Sequence, residues 1–303
     1  MKIAFGLALA TLAWPSYSQD QATGVPVNMV VTVEATHGNQ PPEVHKTEVT
    51  AYQGREKLSI SEWLPLRDGH AGLDFVILID DAANTSLGSQ LEDIRTFIEQ
   101  QPPTTAIGLA YMQNGTVRVA ANPTTDHAAA AAALRLPMGT AAAISSPFLS
   151  LEELIKGWPA ANARREVLMI SDGIDRFGGS DPYNPYVNEA IDAAVKAGIL
   201  VYTIYTPGIG HYGHSFWAAN WGQNYLSDLS DATGAESYFV GFGNPVSFVP
   251  WLNEISERLR NQYLVTLLAK AGTKPGFQNV RFTTEIPKTE IIAALRAWVP
   301  AAK

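Results

Sequence analysis

Apolar and polar residues alternate over positions 27–35, and Val27, Met29, Val31 and Val33 fall on one face of a predicted strand. Pro41 and Pro42 interrupt the pattern, and residues 44–52 and 58–60 predict two more strands around Gly54. No helix signal occurs in this part. From Asp74 onward the pattern changes. Positions 75–79 form an unbroken apolar run ending in Asp80 and Asp81, as expected of a parallel strand covered on both faces. Leu87, Leu91, Ile94 and Ile98 then recur at helical spacing. Two strand-like runs, 107–112 and 117–120, flank Asn114-Gly115, a pair that tolerates positive φ and predicts a hairpin. Helices are predicted in the Ala-rich stretch after His127 and over 149–156, 187–197, 224–232 and 248–261. Strands are predicted at 167–170, 200–205 and 237–240. The tail returns to strands at 263–269, 280–285 and 291–299.

Two β-rich ends therefore bracket an α/β middle. The expected fold class is α/β: a doubly wound, mostly parallel sheet with an antiparallel edge strand, plus a small β module. The module is made by both ends, because each alone is too short to bury a core. The boundaries read 1–18 for an export signal, 19–68 for the amino-terminal β segment, 69–261 for the α/β domain and 262–303 for the carboxyl-terminal β segment. The signal consists of Lys2, an apolar stretch over 3–14 and the small residues Ser16 and Ser18 before Gln19. It implies an exported protein, periplasmic or secreted. No later run of eighteen apolar residues occurs, so no membrane insertion of the mature chain is expected.

Composition narrows the chemistry. Lys and Arg number 21 against 29 Asp and Glu, with no basic stripe, which argues against a nucleic-acid partner. The absence of cysteine excludes disulfides, thiolate zinc sites, thiol nucleophiles and a lipidated cysteine. Ser171 lacks the G-x-S-x-G context of a nucleophile elbow. The loop 80–88 lacks both glycine-rich phosphate cradles.

Ligands of open parallel sheets bind beyond the carboxyl ends of the strands. There the sequence places Asp80-Asp81, Asp172 and the Gly139-Thr140 loop, oxygen donors that suit Mg²⁺ or Mn²⁺ ahead of Ca²⁺. Taken together, the 75–80 strand, the Asn-Gly hairpin, Gly139-Thr140 and the run 167–173 resemble the von Willebrand factor type A (vWA) family. The β-rich flanks resemble its exported bacterial branch, called VWFA-related. The resemblance implies a vWA-type sheet and a metal-ion-dependent adhesion site at Asp80, Asn84, Thr140 and Asp172. Ala82 stands where the family has a serine ligand, so the site is degenerate. The resemblance also implies a binding function rather than an enzymatic one, with a protein partner whose acidic side chain completes the metal shell. Asp81, Asp175, His211, His214, Phe216 and Trp217 are the candidate partner-binding residues around it. The alternative for the carboxylates is that they cap helices or bind loop amides.

Two other functions compete. His211 and His214, three apart in a Gly-rich loop, could hold zinc with Asp172 or Asp175 for a metal-dependent hydrolase. A scaffold could use the same surface with no metal. The aromatic residues Tyr212, Phe216, Trp217, Trp221 and Tyr225 crowd that loop, and Phe216 and Trp217 are the better interface candidates.

Overall fold

The structure, a computed structural model, describes residues 24–36, 40–139, 145–159, 163–177, 183–209 and 215–302. The expected export signal, Thr140, His211, Tyr212 and His214 lie outside the described residues.

The middle of the chain forms a six-stranded sheet. Its strands are β4 (Leu73–Asp80), β5 (Thr105–Gln113), β6 (Thr116–Thr124), β7 (Arg164–Ser171), β8 (Leu200–Tyr205) and β9 (Ser237–Tyr238). They lie in the order β6-β5-β4-β7-β8-β9. Every neighbouring pair is parallel except β5 and β6. That pair turns through Asn114 (φ 53) and Gly115 (φ 74), the left-handed backbone that selects Asn-Gly.

The apolar run of β4 follows from burial on both faces. Phe75, Ile77 and Ile79 pack with α1 (Leu91–Glu99), α2 (His127–Ala132) and α6 (Val249–Arg260). Val76 and Leu78 pack on the opposite face with α3 (Pro147–Gly157), α4 (Pro185–Ala197) and α5 (Phe216–Thr233). Phe75, Ile77, Leu78 and Ile79 have no exposed surface. Each such side chain contributes about 1.5–3 kcal/mol by leaving water.

The two ends of the chain pair into one seven-stranded antiparallel sheet. Its strands are β1 (Val25–Ala35), β2 (Val49–Gln53), β3 (Glu56–Pro65), β10 (Gln262–Ala269), β11 (Gly276–Thr284), β12 (Thr289–Ala293) and β13 (Arg296–Val299). Their order is β12-β1-β10-β3-β2-β11-β13. Strands β12 and β13 occupy opposite edges, yet only Ala294 and Leu295 separate them in sequence. So short a link spans on the order of 10 Å, so the sheet must roll until its edges approach. Val31, Val33, Ala51, Val265 and Leu267 fill the inside of the roll. The other face of β1 turns to the α/β unit, where Val30 packs on its core. Gln262 Nε2 donates to Glu166 Oε2 at 3.1 Å across this junction. Arg164 donates to the carbonyls of Leu66 and Leu259 at 3.1 and 3.0 Å.

Among the elements that differ from the sequence expectation, β3 is longer than 58–60 and β9 shorter than 237–240, and three others have a local cause. The 44–52 strand begins only at Val49, because Lys46–Glu48 closes a 3₁₀ turn in which the His45 N–H donates to Glu48 Oε2 at 2.8 Å. The expected 291–299 strand is two strands, which pair with different partners. Helix α5 starts at Phe216 rather than 224, because the Ser215 hydroxyl accepts from the Ala218 N–H at 3.3 Å and caps it there. Phe216, Trp217 and Trp221, read from the sequence as loop residues, are therefore helical.

Candidate functional site

Counted from β4, the six-stranded sheet has the order 3-2-1-4-5-6, and the chain reverses direction across the sheet between β4 and β7. A crevice opens at such a switch point, beyond the carboxyl ends of the two strands. Asp80 ends β4, and Asp172 follows Ser171 at the end of β7. Both carboxylates are buried, Asp80 at 5 % and Asp172 at 1 % exposure.

Every oxygen of these two carboxylates has a partner. Asp80 Oδ1 accepts from the Ala82 N–H and Oδ2 from the Ser171 hydroxyl, both at 2.8 Å. Asp172 Oδ1 accepts from the Ile174 N–H at 2.8 Å, and Oδ2 accepts from Arg176 Nη2 at 3.0 Å. The Arg176 side chain is itself only 4 % exposed. Its N–H donates to the Ser145 carbonyl at 2.8 Å and Nη1 to the Ser145 hydroxyl at 3.3 Å. Burial is the main force raising the Asp80 carboxyl above its usual range. Burial, then the neighbouring charge of Asp80, pushes Asp172 up to about 7 against the opposing pull of Arg176.

Two loops close over the pair. Ala83 and Gly208 form an antiparallel bridge, supported by the Asn84 N–H to Pro207 carbonyl bond (2.9 Å) and the Ile209 N–H to Ala82 carbonyl bond (3.2 Å). A Cβ at Gly208 would lie 1.9 Å from Asp172 Oδ2 and 3.1 Å from Arg176 Nη2, so the backbone rests on the ion pair. Helix α5 presses from the side. A Cβ at Gly222 would lie 2.0 Å from the Asp172 carbonyl oxygen, and Gly173 turns beneath it at φ 66.

The other candidate residues are placed as follows. Asn84 Oδ1 accepts from the Ser86 N–H at 2.9 Å and caps the 3₁₀ turn Thr85–Gln90. Asp81 is buried and receives Arg135 through both nitrogens, Nη1 to Oδ1 at 2.7 Å and Nη2 to Oδ2 at 2.8 Å. Gln113 Nε2 adds a bond to Oδ2 at 2.7 Å, and the Arg135 guanidinium stacks 3.7 Å from the Tyr111 ring centre. Asp175, also buried, accepts from the Ser146 hydroxyl and Asn184 Nδ2 at 3.0 Å and from the Phe177 N–H at 2.8 Å. Neither carboxylate reaches the surface, whereas Phe216 (58 % exposed) and Trp217 (66 % exposed) do.

The family's cation was tested against these donors. Ala82 offers no ligand, Asn84 has spent its oxygen on a cap, and a metal beside Asp172 would face the positive charge of Arg176. Among the described residues, no three histidine or acidic side chains are grouped as a metal requires. Thr140, the fourth donor of the expected set, lies outside the described residues, and the oxygens of Asp80, Asn84 and Asp172 are engaged within the protein. Arg135 and Arg176 are the residues that sequence reasoning missed. Arg176 lies four positions after Asp172, a spacing visible in the sequence; Arg135 carries no comparable signal.

No family model matches the sequence, and no curated protein does. Several solved structures match, vWA domains among them. A von Willebrand factor type A structure from Catenulispora acidiphila is 11% identical, with 93% of this chain and 75% of that chain covered and a TM-score of 0.47. The vWF domain of a type V pili tip protein from Porphyromonas gingivalis is 12% identical, with 61% and 94% covered and a TM-score of 0.44. An aerotolerance-related membrane protein from Bacteroides fragilis is 13% identical, with 62% and 98% covered and a TM-score of 0.43. Likenesses this distant carry no weight for function.

Proposed function

We propose that this chain is an exported, vWA-type binding protein that recognises a protein partner without a resident cation. Residues 69–261 form the recognition domain, a doubly wound sheet with β6 as its antiparallel edge, and the rolled sheet of the two ends supports it. Location in the periplasm or medium rests on the apolar 3–14 stretch.

One observation carries the reading. The carboxylates of the upper face are buried, while the segments that follow β6, β7 and β8 expose large apolar side chains. Leu136, Met138, Phe177, Tyr183, Phe216 and Trp217 are all exposed. Phe216 packs edge-on against both Trp217 and Phe242, with ring centres 5.6 and 4.9 Å apart. Clustered exposed aromatics of this kind mark protein interfaces, where a few such anchors dominate the binding energy. Arg176 gives Asp172 a counter-ion from within the chain, where an adhesion site would place a cation.

The test is a photo-crosslinking amino acid at position 217 in the exporting host, with and without chelator. The reading expects a discrete adduct that survives chelation and is lost in Phe216→Ser. No adduct, or one that chelation abolishes, contradicts it.

A further inference from the structure

A second concave surface lies at the opposite end of the parallel strands, between the rolled sheet and the base of the α/β unit. It is a cleft of about 800 Å³, a size that accepts a small organic ligand. The strand register lays Val30, Leu264 and Leu64 side by side as an apolar floor, with Pro26 beyond them. Arg164, Arg165 and residues 195–200 form the facing wall, and Arg296 and Trp298 close one end. Gly69 and Gly198 have open space where a Cβ would project, so no side chain there fills the gap.

The lining is basic although the protein carries a net charge of −8. It holds His70, Arg164, Arg165, Lys196 and Arg296, and no carboxylate. Most of that charge is already answered. Arg164 faces Glu166 at 3.2 Å, and Arg296 donates to Asp192 at 2.7 Å. Arg165 donates to the Ala197 carbonyl at 3.0 Å and lies in the field of Asp74. Lys196 differs. Its Nζ sits 4.6 Å from the Trp298 ring centre, and among the described residues no carboxylate lies within ion-pair distance of it.

We infer that this cleft binds an amphiphile with one anionic head, a monocarboxylate on an aliphatic body. The head meets Lys196 at the rim and the body lies along Val30, Leu264 and Leu64. An ammonium with no carboxylate within ion-pair distance, beside an apolar floor, matches an anionic head on an aliphatic body. The Trp298 ring holds the ammonium in place at the rim of the cleft.

Titration calorimetry on the full chain tests this, with decanoate below its micelle concentration and decanol as the uncharged match. The inference expects decanoate to bind and decanol to bind at least about ten-fold more weakly, the scale of one charge-assisted contact. Lys196→Glu should weaken decanoate by a similar factor, and Lys196→Arg should restore it. Lys196 is exposed, and a circular dichroism melt matching wild type establishes that each variant folds. Trp217→Ser, on the upper face, should leave decanoate binding unchanged. The inference is overturned if decanoate does not bind, if decanol binds equally, or if Lys196→Glu has no effect. Loss of binding in Trp217→Ser would place the ligand on the upper face and overturn it too. The proposed partner recognition is unaffected by any of these results.

Discussion

Arg176 donates from Nη2 to Oδ2 of Asp172 across 3.0 Å, four residues along the chain, with both side chains almost wholly removed from solvent. Breaking a buried pair from one side leaves the other charge without compensation, at a cost of about 3–5 kcal/mol. Arg176→Met should therefore destabilise strongly in urea denaturation. The double variant Arg176→Met with Asp172→Asn should recover part of that loss, because the Asp172 charge is no longer left without its partner. A double variant no more stable than the single one would show that Arg176 acts through packing alone.

Gly222 lies inside α5, where alanine would ordinarily gain about 1 kcal/mol of helix propensity. Its missing Cβ would meet the Asp172 carbonyl oxygen at 2.0 Å, a backbone atom that cannot swing away. Overpacking of this kind costs about 1–3 kcal/mol. Gly222→Ala should lower the melting temperature, with the clash outweighing propensity. A raised melting temperature would mean that α5 does not press on the 172–173 turn.

Glu166 is fully buried, and burial raises its carboxyl above the ordinary glutamate range despite Arg164 at 3.2 Å. The folded state thus binds this proton more tightly than the unfolded chain. Its contribution to stability is present at low pH and is lost as pH rises from the ordinary glutamate range through the raised folded value. Glu166→Gln cannot titrate. Wild-type stability relative to Glu166→Gln should fall in denaturant titrations as pH rises through and above the ordinary glutamate range. Parallel curves would refute the raised value.

The sequence shows the α/β middle well where local pattern and burial agree. The unbroken run of β4, the Asn114-Gly115 turn and the apolar end of β7 are each set by a few neighbouring residues. The start of α5 was less legible, because Phe216 and Trp217 face solvent and break the apolar periodicity that marks a helix. The position of the acidic centre was readable from Asp80 and Asp172 at strand ends. Its chemistry was not, because the partners come from elsewhere in the chain. Ser171 reaches Asp80 across 91 positions, Arg135 reaches Asp81 across 54, and Gly208 settles on Asp172 from the loop after β8. No local periodicity encodes those meetings.

Manganese titration followed by electron paramagnetic resonance tests the central claim most directly, since free Mn²⁺ gives a signal that protein binding suppresses. With Arg176 as the internal counter-ion, wild-type protein should leave the free Mn²⁺ signal at its protein-free intensity, as should Asp172→Asn. A stoichiometric loss of signal with wild type, restored in Asp172→Asn, would contradict the account and return the upper face to metal-dependent recognition.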